Sequence, residues 1–225
     1  MSSIFPAGCA GPPVDSLLVP VVDQIRERGY AVSNAIVPAS LCTELLACAV
    51  RDTQAYERAG VGPLGSQRLN RFVRRDAIRW IDGMHPATRF YLDWAESFRL
   101  YMNRRLMLGL FEYECHFARY PVGGFYRTHV DAFRGESNRI LSTVLYLNPD
   151  WSADDGGDLV IYAEDRTTIL KVVTPIFGTF VTFLSEEFPH EVLPALRPRY
   201  SLTGWFRVNQ SARNPMPAAR RAEGK

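Results

Sequence analysis

EYECHFARYPVGGFYRTHVDAF, residues 112–133, is where the periodicity of the chain changes. Upstream of about residue 111, apolar residues recur at helical spacing in three places. From here on they alternate, as in strands that bury one face. EYECHFARY and RTHVDAF are followed by RILSTVLYLN, GDLVIYAE, TTILKVVT, GTFVTFLS, HEVLPA and RYSLTGWFRV, with Gly, Pro, Asn or Asp at most junctions. Those are the residues that turns require. About eight short strands with no helix between them predict a β-sandwich or barrel, with a double-sheet jelly roll among the options.

The half that precedes this stretch reads as mixed. A helix is expected over about 16–28, stopping near Gly29, then a strand from Tyr30 to Val37. A second helix follows Pro38, with Leu41, Leu45, Leu46, Ala49 and Val50 on one face. After a Gly-rich loop, ERAGVGPLGSQ, two strands are expected around Leu69–Val73 and Ala77–Ile81. Pro86 opens a third helix, in which Phe90, Trp94, Phe98 and Tyr101 recur at helical spacing, the pattern of a core-facing stripe. The fold class is therefore α+β, mainly β, with the N-terminal helices packed on one outer face of the β core. Residues 1–14 are rich in Gly and Pro, and residues 209–225 lose all apolar periodicity, so both ends read as flexible. Between them the expectation is a single domain, 15–208, with a helical and mixed part over 15–110 and a β core over 111–208.

The composition excludes several classes. Hydrophobic residues make up 47% and charged residues 22% of 225 residues, which suits one domain with a sizeable core. A net charge of +2 gives no sign of a nucleic-acid partner. Cys9, Cys42, Cys48 and Cys115 show neither C-x-x-C spacing nor a disulfide framework, so reduced thiols in a cytoplasmic protein are expected. The N-terminus lacks the pattern of a signal peptide and no apolar run reaches membrane-spanning length.

His129 and Asp131 lie two apart in a predicted strand, so both side chains emerge on one face, where they could grip one ion. Alone, such a pair is more often a solvated polar patch. His190, in EEFPHEV, adds a second imidazole at the start of a late strand. Two histidines and a carboxylate make up a facial triad suited to a borderline divalent metal such as Fe(II), with neighbouring positions open. Arg199 lies on the next strand, and a guanidinium inside a barrel needs an anion; a structural ion pair is its plain alternative. Arg68, Arg71, Arg74, Arg75 and Arg79 read as a solvated strand face, and His85 and His116 as local structure. Gly156 and Gly157 read as a tight turn, and Asp154, Asp155 and Asp158 lack the spacing of a calcium loop.

The span from about Tyr120 to Phe206 resembles the Fe(II)- and 2-oxoglutarate-dependent dioxygenases, most closely the prolyl 4-hydroxylase branch with its hypoxia-sensing members and bacterial relatives. RYPVGGFYRTHVD, TVLYLNPDW, GGDLVIY, PHEVLP and RYSLTGWF carry the likeness in family order, with IRWIDG upstream. The resemblance implies a double-stranded β-helix, with iron held by His129, Asp131 and His190. It implies that Arg199 binds the distal carboxylate of 2-oxoglutarate, that the Tyr146 phenol donates to it, and that Tyr120 lines the same pocket. Tyr126, Arg139 and Trp205 would border the substrate. The implied reaction consumes 2-oxoglutarate and O2, with ascorbate as a reductant, and hydroxylates a prolyl residue of a protein or peptide, releasing succinate and CO2. The alternatives are the same chemistry on a free amino acid or small metabolite, a non-redox metal-binding jelly roll, or a zinc hydrolase; a dicarboxylate anchor at Arg199 and Tyr146 argues against the last two. YPVGGFY and HVDAF depart from the family pattern at the pocket mouth, and the Gly-rich segment 57–68 occupies the place of a mobile substrate-covering loop. Neither nucleic acid nor membrane is an expected partner, and the oligomeric state is left open, a monomer being compatible.

Overall fold

The computed structural model describes residues 14–51, 53–59, 72–132 and 138–209. The first strands and helices are α1 (Val14–Arg28), β1 (Tyr30–Asn34), α2 (Ala39–Arg51), β2 (Glu57–Arg58), β3 (Ala77–Trp80) and α3 (Pro86–Leu106). Then come β4 (Glu112–Tyr120), β5 (Tyr126–His129), β6 (Arg139–Tyr146), β7 (Leu159–Tyr162), β8 (Ile169–Val173), β9 (Thr179–Leu184), β10 (His190–Val192) and β11 (Arg199–Arg207). The eight strands expected after residue 111 are all present.

They divide between two antiparallel sheets, crossing from one to the other at every connection but the β7–β8 hairpin. The larger has the order β1-β9-β6-β11-β4-β3-β2 and the smaller β5-β10-β7-β8. Alternation gives the central strands of the larger sheet, β4, β6, β9 and β11, two buried faces. One, carrying Cys115, Phe117, Leu141, Leu145, Phe180, Leu202 and Phe206, packs under the three helices. The other, carrying Ala118, Tyr120, Val144, Tyr146, Val181 and Phe183, packs against Leu159, Ile161 and Val192 of the smaller sheet. This two-sided burial is the double-stranded β-helix, with the helices on one outer face as expected.

The helix boundaries have identifiable causes. Gly29 ends α1 at φ +79°, its N–H donating to Ile25 O at 2.8 Å; a Cβ there would lie 2.7 Å from the Phe188 ring. Pro86 occupies the first turn of α3, and the His85 imidazole accepts from the Ala87 N–H at 3.2 Å, so His85 is indeed local structure, an N-cap.

Four details of the first half differ from expectation. The strand after Gly29 ends at Asn34, because Ala35 takes up φ +63° and breaks the ladder. On α2 the buried face is Cys42, Leu45, Cys48 and Ala49, while Val50 is exposed. On α3 Phe90 is exposed and Tyr91 takes its place beside Trp94, Phe98 and Tyr101. Each slip is one helical position, within the arc that a 100° repeat leaves ambiguous. Phe72 and Val73 form a turn, not a strand, and residues 69–71 lie outside the described residues, as do most of the expected loop 57–68 and most of the ends 1–14 and 209–225 for which flexibility was expected.

Candidate metal centre and adjoining pocket

β5 and β10 pair antiparallel, with His129 directly opposite His190. Cross-strand neighbours bring their side chains within a few ångströms, and the two imidazole centroids stand 4.3 Å apart. β5 ends at His129, so Asp131 does not continue the strand as expected; it sits in the bend that follows. The carboxylate still reaches both rings, with Oδ1 at 3.7 Å from His129 Nε2 and 3.8 Å from His190 Nε2. It is steadied from the opposite sheet, where Ser142 on β6 donates its hydroxyl to Asp131 Oδ2 at 2.6 Å. One potential ligand atom from each of the three residues lies within 4.8 Å of the other two.

The hydrogen bonds determine which nitrogens are available. His129 Nδ1 donates to Arg127 O at 2.8 Å and His190 Nδ1 to Phe188 O at 2.9 Å. A carbonyl only accepts, so each ring carries its proton on Nδ1 and presents the Nε2 lone pair towards the carboxylate. Burial, and then the neighbouring His129, push the His190 imidazole down to about 4, which keeps it neutral at pH 7. Burial alone would raise the Asp131 carboxyl; the adjacent imidazoles and the Ser142 hydroxyl outweigh it and hold the group well below the usual carboxylate range. Two neutral imidazoles and an ionised carboxylate, each braced by a further hydrogen bond, are a donor set that fits Fe(II).

Arg199, at the start of β11, is 1% exposed, with the largest side chain among the fully buried residues. Its Nε donates to Gly157 O at 2.9 Å, and its guanidinium carbon lies 4.8 Å from the Tyr120 ring and 5.0 Å from that of Tyr146. Among the described residues no carboxylate comes within ion-pair distance of it. The expected alternative of a structural ion pair is therefore not what the fold builds. Burial, opposed by the neighbouring Arg199, pushes the Tyr146 phenol up to about 12, and its buried hydroxyl is unpartnered at hydrogen-bond distance among the described residues. A buried cation and a buried O–H donor on neighbouring strands, neither neutralised, form a seat for an anion.

Beyond the imidazoles lies a stacked wall. Tyr126 lies on His129 with centroids 3.5 Å apart and planes 17° from parallel, and the Arg74 guanidinium lies 4.2 Å from the Tyr126 ring centroid. Arg74 is held by both oxygens of buried Asp76, at 2.7 and 2.6 Å. The reading of Arg74 as part of a solvated face is thus corrected, and so is that of Arg79, which donates to Cys48 O at 2.8 Å on the helical side. Of the same cluster, Arg75 is exposed, whereas Arg68 and Arg71 lie outside the described residues. Arg139 covers the Trp205 ring at 3.7 Å and pairs with Glu114 at 2.7 Å.

Sequence reasoning missed Ser142, Gly157 and the Arg74–Asp76 pair. Ser142 left a signal, a hydroxyl at a position of β6 that alternation assigns to the interior. Gly157 left a weaker one; it does form a turn, at φ +70°, but a Cβ there would meet Arg199 Cδ at 3.0 Å, so the glycine also makes room for the guanidinium.

Comparison with known proteins agrees with this geometry. Residues 115–207 match the model of the 2OG-Fe(II) oxygenase superfamily. The chain is 36% identical over 169 residues to the human protein "Prolyl hydroxylase EGLN3", covering 70% of this chain and 66% of the relative, so it spans just under two thirds of that protein's length. Among solved structures, a Pseudomonas putida prolyl-4-hydroxylase is 43% identical with a TM-score of 0.76, covering 85% of this chain and 99% of that one. A Trichoplax adhaerens prolyl hydroxylase, in complex with a hypoxia inducible factor peptide fragment, is 28% identical with a TM-score of 0.77, covering 86% and 90% of the two chains.

Proposed function

Because the chain belongs to the 2OG-Fe(II) oxygenase superfamily, we propose that it hydroxylates a prolyl residue in a protein or peptide, consuming 2-oxoglutarate and O2 and releasing succinate and CO2. The observation that carries this reading is Arg199, a fully buried guanidinium without a carboxylate partner among the described residues, on the inter-sheet face that also holds Ser142 beneath Asp131.

In this reading His129, Asp131 and His190 hold Fe(II) through two Nε2 lone pairs and a carboxylate oxygen. Fe(II) with 2-oxoglutarate and O2 supplies the oxidising power, and the protein supplies geometry. Arg199 takes the distal carboxylate of the co-substrate as a paired acceptor, and the Tyr146 O–H, protonated at any physiological pH, donates to the same group. Tyr120 walls the guanidinium on its other side. Tyr126 fixes the plane of the His129 ring, while Trp205 and Arg139 border the substrate. The packed aromatic residues between the sheets keep water from the anion seat, where its absence strengthens each electrostatic contact. The same reading takes residues 15–208 as one catalytic unit working in a reducing cytoplasm with ascorbate as a reductant. Cys42, Cys48 and Cys115, free and buried, are compatible with that setting.

The test is succinate release from the purified protein with Fe(II) and 2-oxoglutarate across proline-containing peptides and free amino acids. The expected result is release coupled to a one-oxygen mass gain on a prolyl residue. Coupling to a free amino acid alone would replace the substrate half of this proposal, and no succinate with any substrate would end it.

A further inference from the structure

Residues 185–189, which join β9 to β10, touch the supports of two of the three candidate ligands. The Ser142 proton is committed to Asp131, so Ser185, fully buried, donates its own hydroxyl to Ser142 at 2.9 Å and stands behind the carboxylate. Three residues on, the Phe188 carbonyl accepts from His190 Nδ1 at 2.9 Å. Pro189 confines Phe188 to extended backbone, so the direction of that carbonyl follows from where the Phe188 ring is anchored. The ring is buried and meets Tyr30 edge-on, with centroids 5.5 Å apart. It also faces Gly29 so closely that a Cβ there would lie 2.7 Å from both Cε2 and Cζ.

We propose that Ser185 and Phe188 are positioning residues of the metal centre, and that Gly29, at the α1–β1 junction, is the seat that sets Phe188. The inference rests on the reading of His129, Asp131 and His190 as metal ligands. The turn has little freedom to absorb a displaced ring, because its backbone is tied to three other elements. Leu184 N–H donates to Gly29 O at 3.0 Å, Ser185 N–H to Ile140 O at 3.0 Å, and Tyr162 N–H to Pro189 O at 2.8 Å.

Gly29 then has two roles that can be separated. Its φ of +79° ends α1, where a Cβ carries a backbone cost in any protein. Its missing Cβ also admits the Phe188 ring, and only this second role reaches the metal. Pushing the ring aside turns the Phe188 carbonyl away from Nδ1. The imidazole of His190 then loses the bond that keeps its proton on Nδ1 and its Nε2 lone pair towards Asp131.

The experiment has two readouts: Co(II) titration followed by its visible absorption, and the His190 tautomer of the metal-free protein at neutral pH, read by long-range proton–nitrogen NMR. Gly29→Ala should weaken Co(II) binding roughly 10–100-fold and bring the Nε2–H tautomer into the His190 signal. Leucine lacks Cε2 and Cζ, so in a Phe188→Leu background the same Gly29→Ala change should leave Co(II) affinity where it was. Ser185→Ala should cost roughly fivefold, the worth of one neutral hydrogen bond, with the His190 tautomer unaltered because this residue acts through Asp131. A contact that serves the fold alone would lower the unfolding temperature of Gly29→Ala and leave affinity and tautomer as in wild type. That result overturns the proposal, as does an equal loss of affinity in both backgrounds, and unchanged affinity in Ser185→Ala overturns the half that concerns Ser185. If Gly29→Ala does not fold, Phe188→Leu and Phe188→Ala decide it: a graded loss, larger for alanine, sustains the proposal, and unchanged affinity in both overturns it. Failure of the metal reading looks different, since wild type would then bind no Co(II), or His190→Ala would bind it as well.

Discussion

Replacing Arg199 by methionine separates a structural arginine from an anion seat, because the two roles predict opposite signs. The side chain is 1% exposed, and its Nε donates to Gly157 O at 2.9 Å with no carboxylate at ion-pair distance among the described residues. A buried cation with so little compensation is a cost to the fold, and an apolar side chain of similar length is neutral or stabilising in its place. Arg199→Met without ligand should therefore unfold at the wild-type temperature or above it. Co-substrate binding should suffer in the opposite direction. Losing two charge-assisted hydrogen bonds to a buried carboxylate costs about 3 kcal/mol or more, a drop in affinity of roughly 150-fold. With Mn(II) as a redox-quiet metal and 2-oxoglutarate at 100 times the wild-type Kd, wild type gains about 2.7 kcal/mol. At the same concentration the variant gains only about 0.3 kcal/mol by the same relation. For a chain of this size the difference is a thermal shift of roughly 5–10 °C against about 1 °C, within reach of scanning fluorimetry. A variant that loses several degrees without ligand yet keeps the full 2-oxoglutarate shift would refute the reasoning and make Arg199 a structural residue.

Three further outcomes follow from the same geometry. Ser142→Ala removes the hydroxyl that braces Asp131 Oδ2, and metal titration at fixed pH should show roughly 10–100-fold weaker affinity; unchanged affinity would mean the brace is idle. Gly157→Ala forces a side chain onto a backbone at φ +70° and towards Arg199 Cδ at 3.0 Å, so 2-oxoglutarate affinity should fall while metal affinity holds, and the converse pattern would contradict the packing. Acid should destabilise the chelator-treated protein between pH 6.5 and about 4, because unfolded His116 takes up a proton there and the folded residue, pushed down to about 4 by burial, does not. Stability thus rises with pH across that window, by about 3 kcal/mol from this residue. Urea melts of His116→Phe should show a correspondingly shallower slope, and an identical slope would show that His116 takes up its proton in the folded state.

Strands were legible wherever burial is periodic. The eight from β4 to β11 follow from alternation and turn residues alone, since a sheet packed on both faces leaves little freedom of register. The first half was less so. Val50 and Phe90 were placed on buried faces by a helical repeat that tolerates one step of error, and Cys42, Cys48 and Tyr91 took their places. The candidate ligands His129, Asp131 and His190 could be picked out because few residue types bind metal and their order along the chain is distinctive. Their neighbours could not, because Ser142, Arg74 and His116 acquire meaning only from which strand lies beside which. Arg74 looks like any arginine of a basic run until Tyr126 is found beneath it. His116 looks like a strand histidine until Trp80 and Trp205 are seen to enclose it.

The two halves of the pocket belong to different sheets. His129 and His190 sit on the four-stranded one, while Arg199 and Tyr146 sit on the seven-stranded one. A molecule held at both ends must bridge the gap, and that gap is set by the packing of Val144, Leu159, Ile161 and Val181 between the sheets, Ile161 lying directly across from His190. Interior packing has the stiffness of a crystal. The core therefore acts as a spacer: it fixes how far apart the two sheets hold whatever ligand bridges them.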